Sequence, residues 1–211
     1  MSNELPNYKL ILAGSLGVGK TTIYDVVKKH WPEGRGEASK WTHCVELDNE
    51  RVKVTLWDTT KMESHGVKCM TRNYFSNSDG VILVCNQSKL TSLQDLIGWI
   101  QAVNENSYVS TPVFALWCNA VDQYSGVEVT DELLESFVKE HSVCLSTKLP
   151  DMKETVVKSY RQLIEVVHLS SAFGRQAGVV VDCGAKVCCP PLPKDQSKQS
   201  DRGGNQWCTC S

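Results

Sequence analysis

The 211-residue chain has no apolar run near the ~18 residues of a membrane span; its longest strong one is Val81-Ile82-Leu83-Val84-Cys85. It also lacks a large excess of either charge: 22 basic against 24 acidic side chains leave a net −2, with a sequence pI near 6.2. That balance argues against a general nucleic-acid binder. The first residues, MSNELPNYK, carry no basic-then-apolar leader, and the serine at position 2 argues against myristoylation. The expectation is a protein that is neither secreted nor integral to a membrane. No internal repeat is visible, and no CxxC pair with a histidine partner supports a zinc site.

Cysteine is plentiful, with ten in all, and its distribution is uneven. Cys44, Cys69, Cys85, Cys118 and Cys144 are scattered through the first 145 residues and read as small buried hydrophobes in a reducing compartment. Cys183, Cys188, Cys189, Cys208 and Cys210 crowd the last 29 residues, and a cysteine pair beside the C-terminus points to lipidation. Composition (41% apolar, 22% charged) suits one globular domain, expected over residues 1–170, followed by a flexible tail over 171–211. The segment PPLPKDQSKQSDRGGNQ, residues 190–206, is too rich in proline, glycine and amides to bury a core.

The body alternates strand and helix patterns. Residues 8–13 (YKLILA), 80–85 and 113–118 are short apolar runs of the buried-strand kind, and 42–47 with 51–57 form a hairpin around Asp48-Asn49. Leu93, Leu96, Ile97, Ile100 and Val103 recur at helical spacing. Thr130 caps a helix with Leu133, Leu134, Phe137 and Val138 inward, and Asp131 and Glu132 suit its positive end. A last helix after Pro150 carries Val156, Tyr160, Leu163, Ile164 and Val167. Strands separated by helices predict an α/β fold with a mostly parallel sheet covered on both faces.

Between the first strand and the first helix, Gly14-Ser15-Leu16-Gly17-Val18-Gly19-Lys20-Thr21 fits G-x-x-x-x-G-K-[ST]. Glycines let successive N–H groups converge on a phosphate, Lys20 adds charge at the β/γ-phosphates, and the Thr21 hydroxyl suits Mg²⁺. The base is chosen by later segments. Asn119-Ala120-Val121-Asp122 follows the strand ending at Cys118, and a carboxylate at 122 can accept from the guanine N1–H and exocyclic amine. Ser146-Thr147-Lys148 follows another short strand, where a backbone N–H can meet the guanine O6.

With these pieces the chain resembles the Ras-superfamily small GTPases, and most of all the Rab family, over about residues 8–170. The matching stretches are GSLGVGKT, VTLWDT, Tyr74-Phe75, Gly80 with VILV, Trp99, NAVD and STK. The resemblance implies the P-loop GTPase fold, with a six-stranded, mostly parallel sheet flanked by helices. It implies GTP/GDP bound with Mg²⁺ by Gly14 to Thr22 (with Val18 and Thr22 in the loop and first turn), Asp58, Asn119, Asp122, Ser146, Thr147 and Lys148. The metal would be held by Thr21 and Asp58. Exchange factors and effectors are the implied partners, nucleic acid is not, and the implied place is the cytoplasmic face of an intracellular membrane with a cytosolic pool.

The chain departs from the family at specific points. The family has N-K-x-D and S-A-K where this chain has Ala120 and Thr147. Its D-x-x-G-Q reads Asp58-Thr59-Thr60-Lys61-Met62 here, so Lys61 stands for the glycine that senses the γ-phosphate and Met62 for the glutamine that orients water. No confident catalytic residue is left, because methionine cannot align water by hydrogen bonding. The first-switch threonine falls near Arg35, and Thr42, the nearest threonine, lies about seven residues too close to the hairpin. Trp31 falls near the family's base-stacking aromatic, a position equally open to a core or surface tryptophan. Three functions follow: a slow Rab-like GTPase in vesicle trafficking, a pseudo-GTPase acting as a nucleotide-bound interaction module, and, remotely, an ATP-using P-loop enzyme. The end Cys208-Thr209-Cys210-Ser211 reads as a C-a-a-X box or a CxC pair, a prenylation site either way. Residues 170–211 hold five basic and three acidic side chains, so lipid rather than charge would have to supply membrane attachment.

Overall fold

The computed structural model describes residues 4–48, 50–60, 72–107, 112–120, 126–150 and 153–172. Lys61, Met62, Cys69, Asp122 and the tail cysteines Cys183, Cys188, Cys189, Cys208 and Cys210 lie outside the described residues. In chain order the elements are β1 (Asn7–Ala13), α1 (Lys20–His30), β2 (Arg35–Glu37), β3 (Lys40–Glu46), β4 (Arg51–Asp58), α2 (Arg72–Phe75) and β5 (Gly80–Asn86). There follow α3 (Leu90–Gln94), α4 (Leu96–Asn106), β6 (Val113–Asn119), α5 (Asp131–Glu140), β7 (Leu145–Leu149) and α6 (Glu154–Ala172).

The strands form one sheet in the order β2-β3-β4-β1-β5-β6-β7. β2 with β3 and β3 with β4 are antiparallel, and the remaining neighbours are parallel. Parallel neighbours need long crossovers, which the helices supply, and so β5 (GVILVCN) is buried on both faces from Gly80 to Cys85. β4 instead alternates, with Val52, Val54, Leu56 and Asp58 buried and Arg51 and Lys53 exposed. Two cores result. One joins α1 and α6 to β1, β3 and β4 through Ile23, Val27, Val54, Tyr160 and Ile164. The other packs α3, α4 and α5 on the opposite face through Ile11, Leu83, Trp99, Leu116 and Phe137.

Seven strands stand where six were expected. The addition is β2, three exposed residues with no apolar pattern to announce it. It exists because Gly36 lets two backbones approach: a Cβ there would sit 1.9 Å from the Lys40 carbonyl oxygen. The helical run from Leu93 to Val103 is divided at Asp95 into α3 and α4. Leu133 and Ile97, expected inward, are each 40% exposed. Each adjoins a residue that takes the inward position, Leu134 and Leu96, and neighbours on a helix are turned by about 100°. Thr130 caps α5 as expected, its Oγ1 accepting from the Leu133 N–H at 3.5 Å. Cys85 and Cys118 are buried, Cys44 and Cys144 half-buried, and none of the four is in a disulfide among the described residues. Among the described residues no helix is long and apolar enough to cross a membrane.

Candidate functional site

β1 ends at Ala13, and the chain enters α1 through a loop that only glycine can build. Gly14, Gly17 and Gly19 have φ of +146°, +80° and +101°. At Gly14 a Cβ would lie 2.2 Å from the Val84 carbonyl oxygen, and at Gly19 it would lie 2.3 Å from Nδ2 of Asn119. Val18 is buried beneath the loop, while Leu16 is 72% exposed. Lys20 opens α1 almost wholly buried, and its Nζ donates to the Ser15 carbonyl at 2.6 Å, bringing the ammonium back across the loop. The loop therefore gathers an ammonium and the free N–H groups of a helix N-terminus into one concave backbone turn, a chemistry suited to phosphate.

The C-terminal end of β4 meets this loop. Asp58 is 5% exposed, and the Thr21 Oγ1 donates to its Oδ2 at 3.3 Å. Its Oδ1 accepts from the Thr60 N–H at 3.0 Å and the Thr60 hydroxyl at 2.6 Å, while Thr21 Oγ1 also reaches Thr60 Oγ1 at 3.1 Å. Thr59 is fully buried and donates to the Leu12 carbonyl at 2.8 Å, tying the end of β4 to β1. A hydroxyl and a carboxylate so close together form an all-oxygen donor set of the kind Mg²⁺ prefers. Tyr24 on α1 has its hydroxyl pKa pushed up to about 12, by burial and then by the negative charges of Asp58 and Asp25.

The other expected half of the site lies at the ends of β6 and β7. Asn119 is 4% exposed, and its Nδ2 donates to the Val18 carbonyl at 3.1 Å. Ala120, beside it, is exposed. Ser146, Thr147 and Lys148 do not follow a strand but lie within β7, facing Leu116, Trp117 and Cys118, so Leu149 is the residue paired with Asn119. The Thr147 hydroxyl accepts from Ser159 of α6 at 3.3 Å, which gives this threonine a packing role the family's alanine lacks. Lys148 pairs with Asp131 of α5.

Trp31 belongs to the core, not to a base-binding surface. It is 7% exposed, stacks on His43 with ring centroids 4.9 Å apart, and lies 5.5 Å from Tyr160. Arg35 does not reach the loop either, because β2 pairs it with Thr42 of β3. Thr22 is exposed on the first turn of α1. Two residues at the site escaped the sequence reading. Thr60 was legible in principle, since a hydroxyl two residues after an aspartate often bonds back to it. Asp95, whose Oδ2 accepts from the Ser15 hydroxyl at 2.6 Å, was not, because 80 residues separate the two and nothing local marks it.

The Ras family model matches residues 9–168. The chain is 26% identical over 171 residues to the Ras-related protein Rab-18 of Caenorhabditis elegans, covering 79% of this chain and 82% of that protein. It is 29% identical over 154 residues to Rab-33A of Mus musculus, covering 70% and 64%, and 26% identical over 176 residues to Rab-13 of Mesocricetus auratus, covering 81% and 84%. The chain belongs to the Ras family, and within that superfamily of small GTPases its sequence is Rab-like.

Proposed function

We propose that this chain is a Rab-like guanine-nucleotide switch of vesicle trafficking, with impaired hydrolysis. The observation that carries it is the convergence of the glycine loop, buried Lys20, Thr21 and Asp58 with Asn119 at the next strand end. In this reading the loop from Gly14 to Lys20 orients the phosphates and excludes bulk water, and Thr21 and Asp58 hold Mg²⁺. Bound there, the cation neutralises charge on the β- and γ-phosphates. Asn119 and Asp122, with the backbone around Ser146, Thr147 and Lys148, frame the guanine. Lys61 and Met62 in place of glycine and glutamine leave the attacking water unoriented, so turnover is slow.

The domain of this switch is residues 1–170, with α6 running on to Ala172, and the rest of the chain to 211 forms a tether prenylated at Cys208 and Cys210. A coil of that length reaches roughly 35 Å, enough to hold the domain off a cytoplasmic membrane face where exchange factors and effectors meet it. A second reading, a nucleotide-bound interaction module without turnover, is favoured by one observation: the segment that carries the first switch in the family is folded into β2 and hydrogen-bonded to β3.

Purified full-length protein, loaded with GTP, GDP or ATP and followed through a single turnover, tests both readings. Guanine nucleotides are expected to outcompete ATP, with hydrolysis slower than in an ordinary small GTPase. Asp122→Ala should erase the preference for GTP over ATP; an unchanged preference refutes the base assignment. A rate in the ordinary range refutes impaired turnover, and a total absence of hydrolysis with retained GTP favours the interaction module.

A further inference from the structure

Two cysteines that the nucleotide reading leaves unused stand side by side in the sheet. Cys85 of β5 and Cys118 of β6 are register partners on neighbouring parallel strands, and both point into the core under α3, α4 and α5. Each is almost wholly buried, at 0% and 2% exposure, and the Cys85 thiol donates a hydrogen bond to the Cys118 sulfur. Neighbouring strands run about 4.8 Å apart, inside the roughly 4.4–6.8 Å that separates the Cα atoms of a disulfide.

The row continues to a charge. Cys118 is in turn the register partner of Lys148 on β7, so thiol, thiol and ammonium lie at one level across three strands. Lys148, whose side chain is 43% exposed, carries the row out to solvent, where it pairs with Asp131. The hydrogen bond from Cys85 holds the Cys118 thiol below its ordinary pKa against the opposing effect of burial, and the Lys148 charge adds to it. The same bond, then burial, pushes the Cys85 thiol up. The thiolate is the nucleophilic form, so the pair divides into a sulfur that attacks and one that keeps its proton for a second step. Packing alone needs neither the pairing nor the charge, since any two small apolar residues would fill the space.

Both cysteines adjoin the supports of the glycine loop. The residue before Cys85 is Val84, whose carbonyl oxygen presses on Gly14 so closely that a Cβ there would lie 2.2 Å away. The residue after Cys118 is Asn119, which donates to the Val18 carbonyl at 3.1 Å and packs against Gly19. The Asn119 carbonyl also accepts from the Gln87 N–H at 2.9 Å, tying the two strand ends together. A disulfide holds its Cβ atoms roughly 3.5–4.5 Å apart, closer than the strand spacing. Closing one here draws β5 and β6 together directly beneath the loop.

We propose that Cys85 and Cys118 form an oxidisable dithiol, converted by hydrogen peroxide to a cross-strand disulfide that loosens the loop's hold on its nucleotide. The Cys118 thiolate attacks one peroxide oxygen and the O–O bond breaks. The departing hydroxide takes up the proton that Cys118 gave to solvent and leaves as water, with a sulfenic acid on Cys118. The Cys85 sulfur then attacks that sulfur, the S–O bond breaks, and the hydroxide leaves with the Cys85 proton as a second water. Two thiols and one hydrogen peroxide thus give one disulfide and two waters. The loosening rests on the nucleotide reading above; the disulfide does not.

The test treats the full chain with hydrogen peroxide, alkylates the remaining thiols, digests the product and maps it by mass spectrometry. A peptide cross-linked between Cys85 and Cys118 should form, vanish with dithiothreitol, and be absent from Cys85→Ala and from Cys118→Ala. Lys148→Gln should slow its appearance severalfold. Fluorescent GDP should leave the oxidised parent several times faster than the reduced one, whereas Cys85→Ala should release it alike before and after peroxide. Oxidation confined to other cysteines, or stopping at a sulfenic or higher acid on Cys118, overturns the dithiol, and the parent protein alone decides this. A cross-linking rate indifferent to Lys148→Gln overturns the part given to the ammonium. A disulfide that leaves release unchanged or slows it overturns the loosening. Should the protein take up no guanine nucleotide, the functional reading fails, while the peptide map still decides the dithiol.

Discussion

Asn119 and Val18, 101 residues apart in sequence, are joined by a hydrogen bond of 3.1 Å from the side-chain amide to the loop carbonyl. The bond locks the glycine loop to the end of β6 and so fixes the distance between the two halves of the candidate site. Asn119→Ala removes the side-chain donor to that buried carbonyl and empties the space against Gly19. The expected cost is roughly 1–3 kcal/mol of stability, read by denaturant unfolding, with faster release of GDP and GTP alike. An unchanged unfolding midpoint would show that the loop stands without it.

Thr60 competes for Asp58. Its hydroxyl donates to Oδ1 at 2.6 Å, so the carboxylate is engaged from within its own strand end. Thr60→Ala frees that oxygen, and the Mg²⁺ concentration for half-maximal nucleotide retention should fall. A rise on titration with Mg²⁺ would instead make Thr60 a support that orients Asp58.

His43 makes the fold acid-sensitive. Neither ring nitrogen has a hydrogen-bond partner among the described residues, and burial, then the neighbouring His30, push the pKa down to about 4 from 6.5. At neutral pH both the folded and the unfolded states hold it uncharged, and it contributes nothing. Below pH 6.5 the unfolded chain takes up a proton that the folded one refuses, so stability is lost progressively until about pH 4. The full loss is roughly 3 kcal/mol. His43→Phe keeps the stacking with Trp31 and should flatten this part of the stability curve. A stability of the parent that stays constant from pH 7 to 4.5 would contradict the assignment.

The tail cysteines carry the membrane prediction. In a eukaryotic cell, Cys208→Ser with Cys210→Ser should move the protein from the membrane fraction to the cytosol, since the tail's five basic and three acidic residues offer little electrostatic attachment. Identical partition of variant and parent would leave the protein without a lipid anchor.

Much of this molecule could be read locally. Alternation along residues 51–58 gave a half-covered strand, the continuous apolar run at 80–85 a central one, and the glycine spacing from 14 to 19 a tight left-handed loop, because each pattern follows from backbone geometry within a few residues. What tertiary structure decided depends on meetings between distant segments. β2 has no sequence signal, and forms only because β3 offers an edge and Gly36 permits the approach. Trp31 could have served a base or a core; His43 and Tyr160, which stack around it from β3 and α6, made it core. Asp95 joined the loop through an 80-residue separation that no periodicity encodes. Period and turn chemistry are properties of a segment, whereas the partner of a buried side chain is a property of the whole packed chain.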